Sequence, residues 1–353
     1  MKKQVKKPIS KNIIEIGPGL KEDQIILATE TSCDETSAAV VLNGRTVLSN
    51  VVASQIETHR KYGGVVPEVA AREHLETINI VIEEAIEKAN IKIEEVRAFS
   101  ATVGPGLVGA LLVGLNAAKT LSLIYDKPFI GINHLNAHVC ANYLESDFEP
   151  PFICLLISGG HTQLIRVDSY SNQELLGETL DDAVGEAYDK VARLLGLPYP
   201  GGPMLDKLAK EGDKNRFKFT EAKVNKYDFS FSGLKTAVLR LIQSFKDQEI
   251  PKADIAASFQ ETVSSILLKK TLQAAKDSNI NQIALAGGVA ANSEIRRKFF
   301  EQEQEGFRVN APAMKFCTDN AAMVASTAYF LSNIMEELDI EVFSRVKQFN
   351  KNS

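Results

Sequence analysis

Ile25-Ile26-Leu27-Ala28-Thr29-Glu30-Thr31-Ser32-Cys33-Asp34-Glu35-Thr36-Ser37 begins as a short apolar run and ends in a small polar turn. The first six residues predict a buried strand. Residues 38–42 resume as a second strand, Asn43-Gly44 is a hairpin turn, and residues 45–52 return as a third strand. About 125 residues later the plan recurs. Residues 152–157 are an apolar strand, Ser158-Gly159-Gly160-His161-Thr162 a polar glycine turn, and residues 163–167 the next strand. The residue identities do not repeat, so the likeness is one of plan. It predicts a duplicated fold, with one such unit opening each half.

Between and after these units strands alternate with helical periodicity. Helices are expected over 66–88, 107–124, 183–195, 202–210, 234–246, 253–278 and 319–335, and strands over 96–103, 128–132 and 282–286. This pattern is that of an α/β protein with two related lobes. Residues 25–150 make the first lobe and 151–335 the second, with 336–353 as a tail. Residues 1–24 carry Lys2, Lys3, Lys6, Lys7 and Lys11 without an apolar signal core. They read as a disordered extension, with a transit peptide as the other reading. The helix at 107–124 carries Gly109, Ala110, Gly114, Ala117 and Ala118, which suit close helix packing and offer a docking face for a partner at Ala110 and Gly114.

The chain has 353 residues, of which 44% are hydrophobic and 24% charged, as in an ordinary soluble two-domain protein. Its longest apolar stretch, 110–125, is interrupted by Asn116 and Lys119 and is too short and polar to span a bilayer. Cys33, Cys140, Cys154 and Cys317 are far apart, which excludes a Cys-x-x-Cys site and fits a reducing, cytoplasmic setting. The net charge of −5 means that nucleic acid is not held by overall charge. Local basic stretches exist: Lys207, Lys210, Lys214, Arg216, Lys218, Lys223 and Lys226 form one, and Arg296, Arg297 and Lys298 another. Taken alone, each reads more readily as a solvated helix or loop face.

Two of only five histidines, His134 and His138, stand four residues apart. On a helix they lie on one face, one turn separated, as two ligands of one ion would. A capping or core pair is the plainer reading. Leu135 occupies the position where a His-Glu-x-x-His zinc peptidase has its general base. Asp319, at a helix start, reads as an N-cap or as a third ligand. The glycine turns at Ser158-Gly159-Gly160-His161 and Gly287-Gly288 lack side-chain bulk and can bring backbone N–H groups to an anion. Pro200-Gly201-Gly202-Pro203 is a rigid turn opening a helix. None of these matches a Walker or dinucleotide fingerprint.

Seven runs taken together resemble one family. They are Glu30–Thr36, Asn133–His138, Ile157–Thr162, Tyr188-Asp189-Lys190, Tyr199–Pro203, Phe229–Lys235 and Gly287–Asn292. In this order, over about residues 25–330, they are similar to the tRNA threonylcarbamoyladenosine transferases of the bacterial TsaD type. The resemblance implies the two-lobed fold of actin, sugar kinases and the Hsp70 ATPase. It implies transfer of threonylcarbamoyl from threonylcarbamoyl-AMP to N6 of adenosine 37 in tRNAs reading codons that start with A. By the match, His134, His138 and Asp319 hold one iron or zinc ion, and Ile157, Ser158, Gly159, Gly160 and His161 line the substrate loop. Asp189, Gly202, Asp206 and Asn292 contact the nucleotide, with ATP a further ligand the fold would accept. Asp34 and Glu35 face the reacting group, with Asp34 the first choice of base.

The family also implies partners besides tRNA. In bacteria these are a shorter paralogue of the same fold (TsaB type) and a small ATPase (TsaE type). An organellar relative would act as a homodimer, and the N-terminal extension leaves that setting open. Rival readings are a metallopeptidase, which Leu135 argues against, and a nucleotide-binding partner without chemistry, which has no use for a ligand set. A sugar or acetate kinase of the same fold is a third.

Overall fold

The computed structural model describes residues 16–246, 248–331 and 340–344. The first sheet contains β1 (Ile25–Glu30), β2 (Glu35–Leu42), β3 (Thr46–Ser54), β4 (Ala98–Gly104) and β5 (Phe129–Asn133), in the order β3-β2-β1-β4-β5. The second contains β6 (Phe152–Ile157), β7 (Thr162–Ser169), β8 (Asn172–Glu178), β9 (Gln282–Ala286) and β10 (Arg308–Asn310), in the order β10-β9-β6-β7-β8. Read from its hairpin side, the second order is the first repeated. In both sheets the opening strand pairs antiparallel with the next and parallel with the fourth. The duplication of plan is therefore one of topology.

Alternation along the opening strands explains how each sheet is covered on two sides. Ile26 and Ala28 face a core that also contains Cys154, Leu156, Ala284 and Ala286 of the second sheet. Leu27 faces the other way, with Val40 and Phe99. In the second sheet Ile153, Leu155 and Ile157 point to an outer core under the second-lobe helices. The shared inner core is filled by α4 (His134–Cys140) and α10 (Ala321–Phe330). The outer side of the first sheet carries α2 (Pro67–Ala89) and α3 (Val108–Tyr125), reached after the short α1 (Ile56–Arg60). The outer side of the second carries α5 (Val184–Leu194), α6 (Gly201–Ala209), α7 (Ser232–Ser244), α8 (Lys252–Asp277) and α9 (Ser293–Phe300).

Several expectations change. The polar turn after β1 is shorter than its composition implies, because Thr36 and Ser37 are buried within β2. The Ser37 hydroxyl donates to Val51 O at 2.8 Å and accepts from Ala321 N at 2.9 Å, so the buried hydroxyl is satisfied. Strand β8 is a half-exposed edge with weak alternation, and β10 has three residues; neither carries a clear strand signature. Helix α10, expected as part of the second lobe, packs on β1 and β2 and against α4, so the chain returns to the first sheet. The expectation of a helix over 319–335 is met by Ala321–Phe330, and residues 332–339 lie outside the described residues.

The extension assigned to 1–24 falls outside the described residues up to position 15. Beyond it Ile16 is buried, and Gly17 and Gln24 exchange two hydrogen bonds of 2.8 and 3.0 Å. The docking face expected at Ala110 and Gly114 is corrected: both are buried. A Cβ at Gly114 would stand 2.6 Å from Thr31 Oγ1. These small residues bring α3 onto the first sheet. By length and composition α3 would also pass as a membrane span. Here it packs on β4 and α2, and its Lys119 donates to Ile340 O at 2.7 Å.

Gly287 joins the two parallel strands of the second sheet to the loop beyond β9. It has φ +85°, and a Cβ there would lie 2.4 Å from Ile157 O, a backbone atom that cannot swing aside. With ψ 166° this is an extended backbone at positive φ that is essentially confined to glycine and costs other residues about 1–3 kcal/mol. Gly287→Ala is expected to destabilise the protein by more than that figure, read as a lower denaturant midpoint with an unchanged slope. A midpoint equal to wild type would show that this contact relaxes freely.

Candidate active site

Asn133 caps α4, its side chain accepting from Leu135 N at 2.9 Å. His134 and His138 therefore occupy the first and fifth helical positions and share a face, with ring centroids 4.6 Å apart. Asp319 precedes α10, and the cap there is taken by Asn320, which accepts from Met323 N at 3.1 Å. Asp319 is thus released from the capping role. Its Oδ1 lies 3.2 Å from His138 Nε2 and 3.5 Å from His134 Nε2. One ligand atom from each of the three falls within 4.8 Å of the others.

Two observations test whether these residues fit an ion. His134 Nδ1 is 3.4 Å from Glu30 Oε2 and 3.3 Å from Ser32 Oγ, which leaves Nε2 facing Asp319. Glu30 is fully buried, accepts from Ser32 N at 2.7 Å and from the Thr102 hydroxyl, and so is itself fixed. A carboxylate on the far nitrogen is the usual support of a metal-bound imidazole. His138 is 1% exposed, and neither of its nitrogens makes a hydrogen bond, although Nε2 approaches Asp319. An unmet buried polar atom costs about 1–3 kcal/mol. A divalent cation among the three groups would satisfy Nε2. Two imidazoles and one carboxylate suit iron or zinc and leave open positions.

The charges agree with that geometry. Burial would raise the Asp319 carboxyl, but the His134 and His138 charges outweigh it and hold it down to about 2. Burial would lower His134, but Asp319 and Glu30 outweigh it and hold it up at about 9. Glu35, at the start of β2, has no cation to offset its burial. That burial, followed by the Asp319 and Asp34 charges, pushes its carboxyl up to about 10. His161 is lowered to about 4 by burial and then by the His134 and His138 charges. So the structure brings the glycine turn, the acidic loop and the triad to one place. His74 of α2 fixes the acidic loop, with its ring nitrogens 2.7 Å from Thr36 Oγ1 and 3.0 Å from Cys33 O.

Around the triad the expected substrate residues divide into two kinds. The backbone turn at Ser158–His161 is closed by Ser158 N donating to His161 O at 2.9 Å and His161 N donating to Ser158 Oγ at 3.1 Å. Gly159 and Gly160 are exposed, with nothing within 4 Å of where a Cβ would stand; the same space is open at Gly202 and Gly288. The Ile157 side chain, by contrast, is in the core, and only its backbone faces the loop. Asp189 accepts from Gly202 N at 3.0 Å, holding the start of α6. Asp206 accepts from Ser293 Oγ at 2.8 Å and Gln260 Nε2 at 3.1 Å. Asn292 caps α9 and donates to Gln260 Oε1 at 2.9 Å. Asp206 and Asn292 therefore tie α6, α8 and α9 together behind the open glycines.

Sequence reading misses Glu30 as a support for His134, since it reads as the last residue of a strand. It also misses Tyr199, whose phenol burial raises, with further contributions from Asp34 and Asp189. Of the basic stretches, Lys214, Arg216 and Lys226 are ion-paired. Arg297 and Lys298 are too, and Arg296 donates to Pro312 O.

The family model described as TsaD, tRNA N6-adenosine threonylcarbamoyltransferase, matches residues 46–326. The chain belongs to this family. The curated transferase of Thermosipho africanus is 56% identical over 87% of this chain and 94% of its own length. That of Clostridium botulinum is 51% identical over 93% and 99%. Among solved structures, full-length HypF aligns with 90% of this chain at a TM-score of 0.61 and 16% identity, and the chain spans 48% of that longer protein. Component A of the Acidaminococcus fermentans (R)-2-hydroxyglutaryl-CoA dehydratase aligns with 88% of this chain at a TM-score of 0.50 and 16% identity. These two likenesses concern the fold, which is the expected two-lobed α/β arrangement. In this chain Leu135 is a core residue and not a missing base: it is fully buried.

Two outcomes are expected at this site. Glu30→Gln should weaken Zn²⁺ or Fe²⁺ affinity by about 10- to 100-fold in chelator competition, as removal of such a supporting carboxylate does; unchanged affinity would separate Glu30 from the ion. Glu35 binds its proton more tightly folded than unfolded, so its contribution to stability is fully present below about pH 4.5 and is lost as pH rises toward 10. The unfolding free energy of metal-free Glu35→Gln should accordingly fall less between pH 5 and pH 9 than that of wild type. Parallel curves would contradict that burial.

Proposed function

We propose that this chain transfers the threonylcarbamoyl group from threonylcarbamoyl-AMP to N6 of adenosine 37 in tRNAs reading codons that begin with A. His134, His138 and Asp319 hold a divalent ion, iron or zinc. The observation that carries this reading is His138, buried with Nε2 unbonded and turned toward Asp319, in a chain of this family.

The residues divide the work. When bound, the ion supplies a Lewis acid with open positions that polarises the carbonyl of the transferred group. The exposed amides of Gly159 and Gly160 receive the phosphate of the adenylate, in the manner of backbone anion sites. The open face at Gly202 and Gly288 leaves room for the nucleoside, while Asp189, Asp206 and Asn292 hold that floor in place. The N6 nitrogen attacks the carbonyl carbon, the bond from that carbon to the phosphate oxygen breaks, and AMP departs with the electron pair. The N6 proton passes to Asp34. Glu35, protonated near neutrality, is the poorer acceptor. Positioning across the cleft supplies much of the rate, because an exocyclic amine is a weak nucleophile.

The same reading gives the chain a cytoplasmic place and partners beyond tRNA: a shorter paralogue of the same fold and a small ATPase, or a second copy of itself in an organelle. ATP is a second nucleotide for the cleft.

The test is transfer in vitro. Purified protein is incubated with threonylcarbamoyl-AMP and unmodified tRNA, with and without the shorter paralogue and the ATPase, and digests are analysed by mass spectrometry. Threonylcarbamoyladenosine is expected from wild type and little from the His134→Ala, His138→Ala double variant. No product from folded, metal-loaded protein under either condition would overturn the proposal.

A further inference from the structure

The loop after α1 presents an aromatic ring to solvent from an unusually firm base. Tyr62 is 61% exposed, and its side chain has no partner among the described residues. Lys61 beside it is exposed and has no ion-pair partner among the described residues. Such a ring is normally left to move, yet here a buried histidine is committed to holding the loop. His59 is fully buried; its Nε2 donates to Gln55 Oε1 at 3.0 Å and its Nδ1 accepts from Val66 N at 3.3 Å. These two bonds close residues 55–66 at the base. Above them Tyr62 N donates to His59 O at 3.0 Å and Gly63 N to Arg60 O at 3.2 Å. Gly63, at φ +70° with open space around it, lets the chain turn directly beyond the ring.

The loop is also anchored to the reaction site at both ends. Gln55 N donates to Asp34 O at 2.9 Å, so α1 starts at the acidic loop. Five helical residues carry the chain only about 7–8 Å further. On the other side Arg60 Nε donates to Tyr199 O at 3.3 Å, across to the second lobe and the turn that opens α6. Tyr62 thus stands two residues beyond Arg60, which reaches the second lobe from a short helix that begins at the acidic loop. Among the exposed large apolar side chains of the described residues Tyr62 is the aromatic one, and with Lys61 beside it this rim offers RNA both a stacking face and a cation.

Resting on the transferase reading, we propose that Tyr62 is a base-stacking residue: its ring takes a nucleobase of the single-stranded anticodon loop next to adenosine 37, with Lys61 on the neighbouring phosphate. Unpaired bases are held by stacking on aromatic rings, and every base offers a face to stack. Stacking at this position fixes the loop while the target adenine is turned inward to the triad.

The test uses the full chain in whichever assembly yields product, with Tyr62→Ala, Tyr62→Phe and Lys61→Ala. Affinity for a fluorescent anticodon stem–loop RNA is measured by anisotropy, and KM for tRNA is separated from kcat. Tyr62→Ala is expected to raise both the RNA Kd and the KM for tRNA by about 10- to 100-fold with kcat little changed, because a stacked base is worth that much. Tyr62→Phe should stay close to wild type, since it keeps the ring. Lys61→Ala should reduce the salt dependence of binding by about one phosphate contact, whereas Tyr62→Ala should not. Unchanged RNA affinity in Tyr62→Ala would overturn the proposal, as would an equal loss in Tyr62→Phe, which would point to the hydroxyl. Loss of protein-partner binding with RNA affinity intact would assign the ring to a protein interface and overturn it as well. Stem–loop binding is read without catalysis, so failure of the transfer reaction itself shows separately as absence of product from wild type.

Discussion

Two carboxylates, Glu30 fully buried and Asp319 partly so, are held at the lobe boundary, and among the described residues the imidazoles of His134 and His138 are the counter-charges beside them. Ionised groups in such surroundings are costly unless paired and hydrogen-bonded. Much of the inner architecture follows from that need. Helix α4 must begin where β5 ends, so that its first turn lies over β1. It is held there by Asn133, and α10 is held by Asn320, which leaves Asp319 turned inward. The inner surface of α10 is built from Ala321, Ala322, Ala325 and Ala328, all fully buried, and their small size lets the sheet and α4 close around the charges.

Much of this was legible in the chain, and the limits have physical causes. The hairpins β1–β2–β3 and β6–β7 are local, so apolar runs and turn residues reveal them. The parallel pairs β1–β4 and β6–β9 join distant segments and leave no local mark, and β8 and β10 are too polar or too short to show a period. The histidine pair is visible because helical spacing alone puts both rings on one face. Asp319 is different: it reads as a cap until Asn320 is seen to occupy that role. Asn292 shows the reverse, a residue placed by family likeness at the nucleotide whose side chain is engaged in capping α9. The role of Glu30 depends on Ser32, Thr102 and His134, three separate segments, and no pattern in its own strand announces it.

The likenesses to HypF and to a dehydratase component, at 16% identity, show how little of the sequence the two-lobed topology constrains. On the proposed reading, the transfer chemistry rests on a few positions on α4, before α10 and in the turns after β1 and β6, with the sheets serving as their frame.

The chain passes between the lobes twice, once after α4 and once between β10 and α10. The two histidines sit at the first passage and Asp319 at the second. A rotation of one sheet against the other must be taken up at these passages, where displacement is smallest. His134, His138 and Asp319 therefore lie close to the pivot, while the rim around Tyr62 lies further from it. A rotation of that kind would part the rim while leaving the centre between the lobes nearly still, as the axle of a pair of tongs stays in place while the tips part.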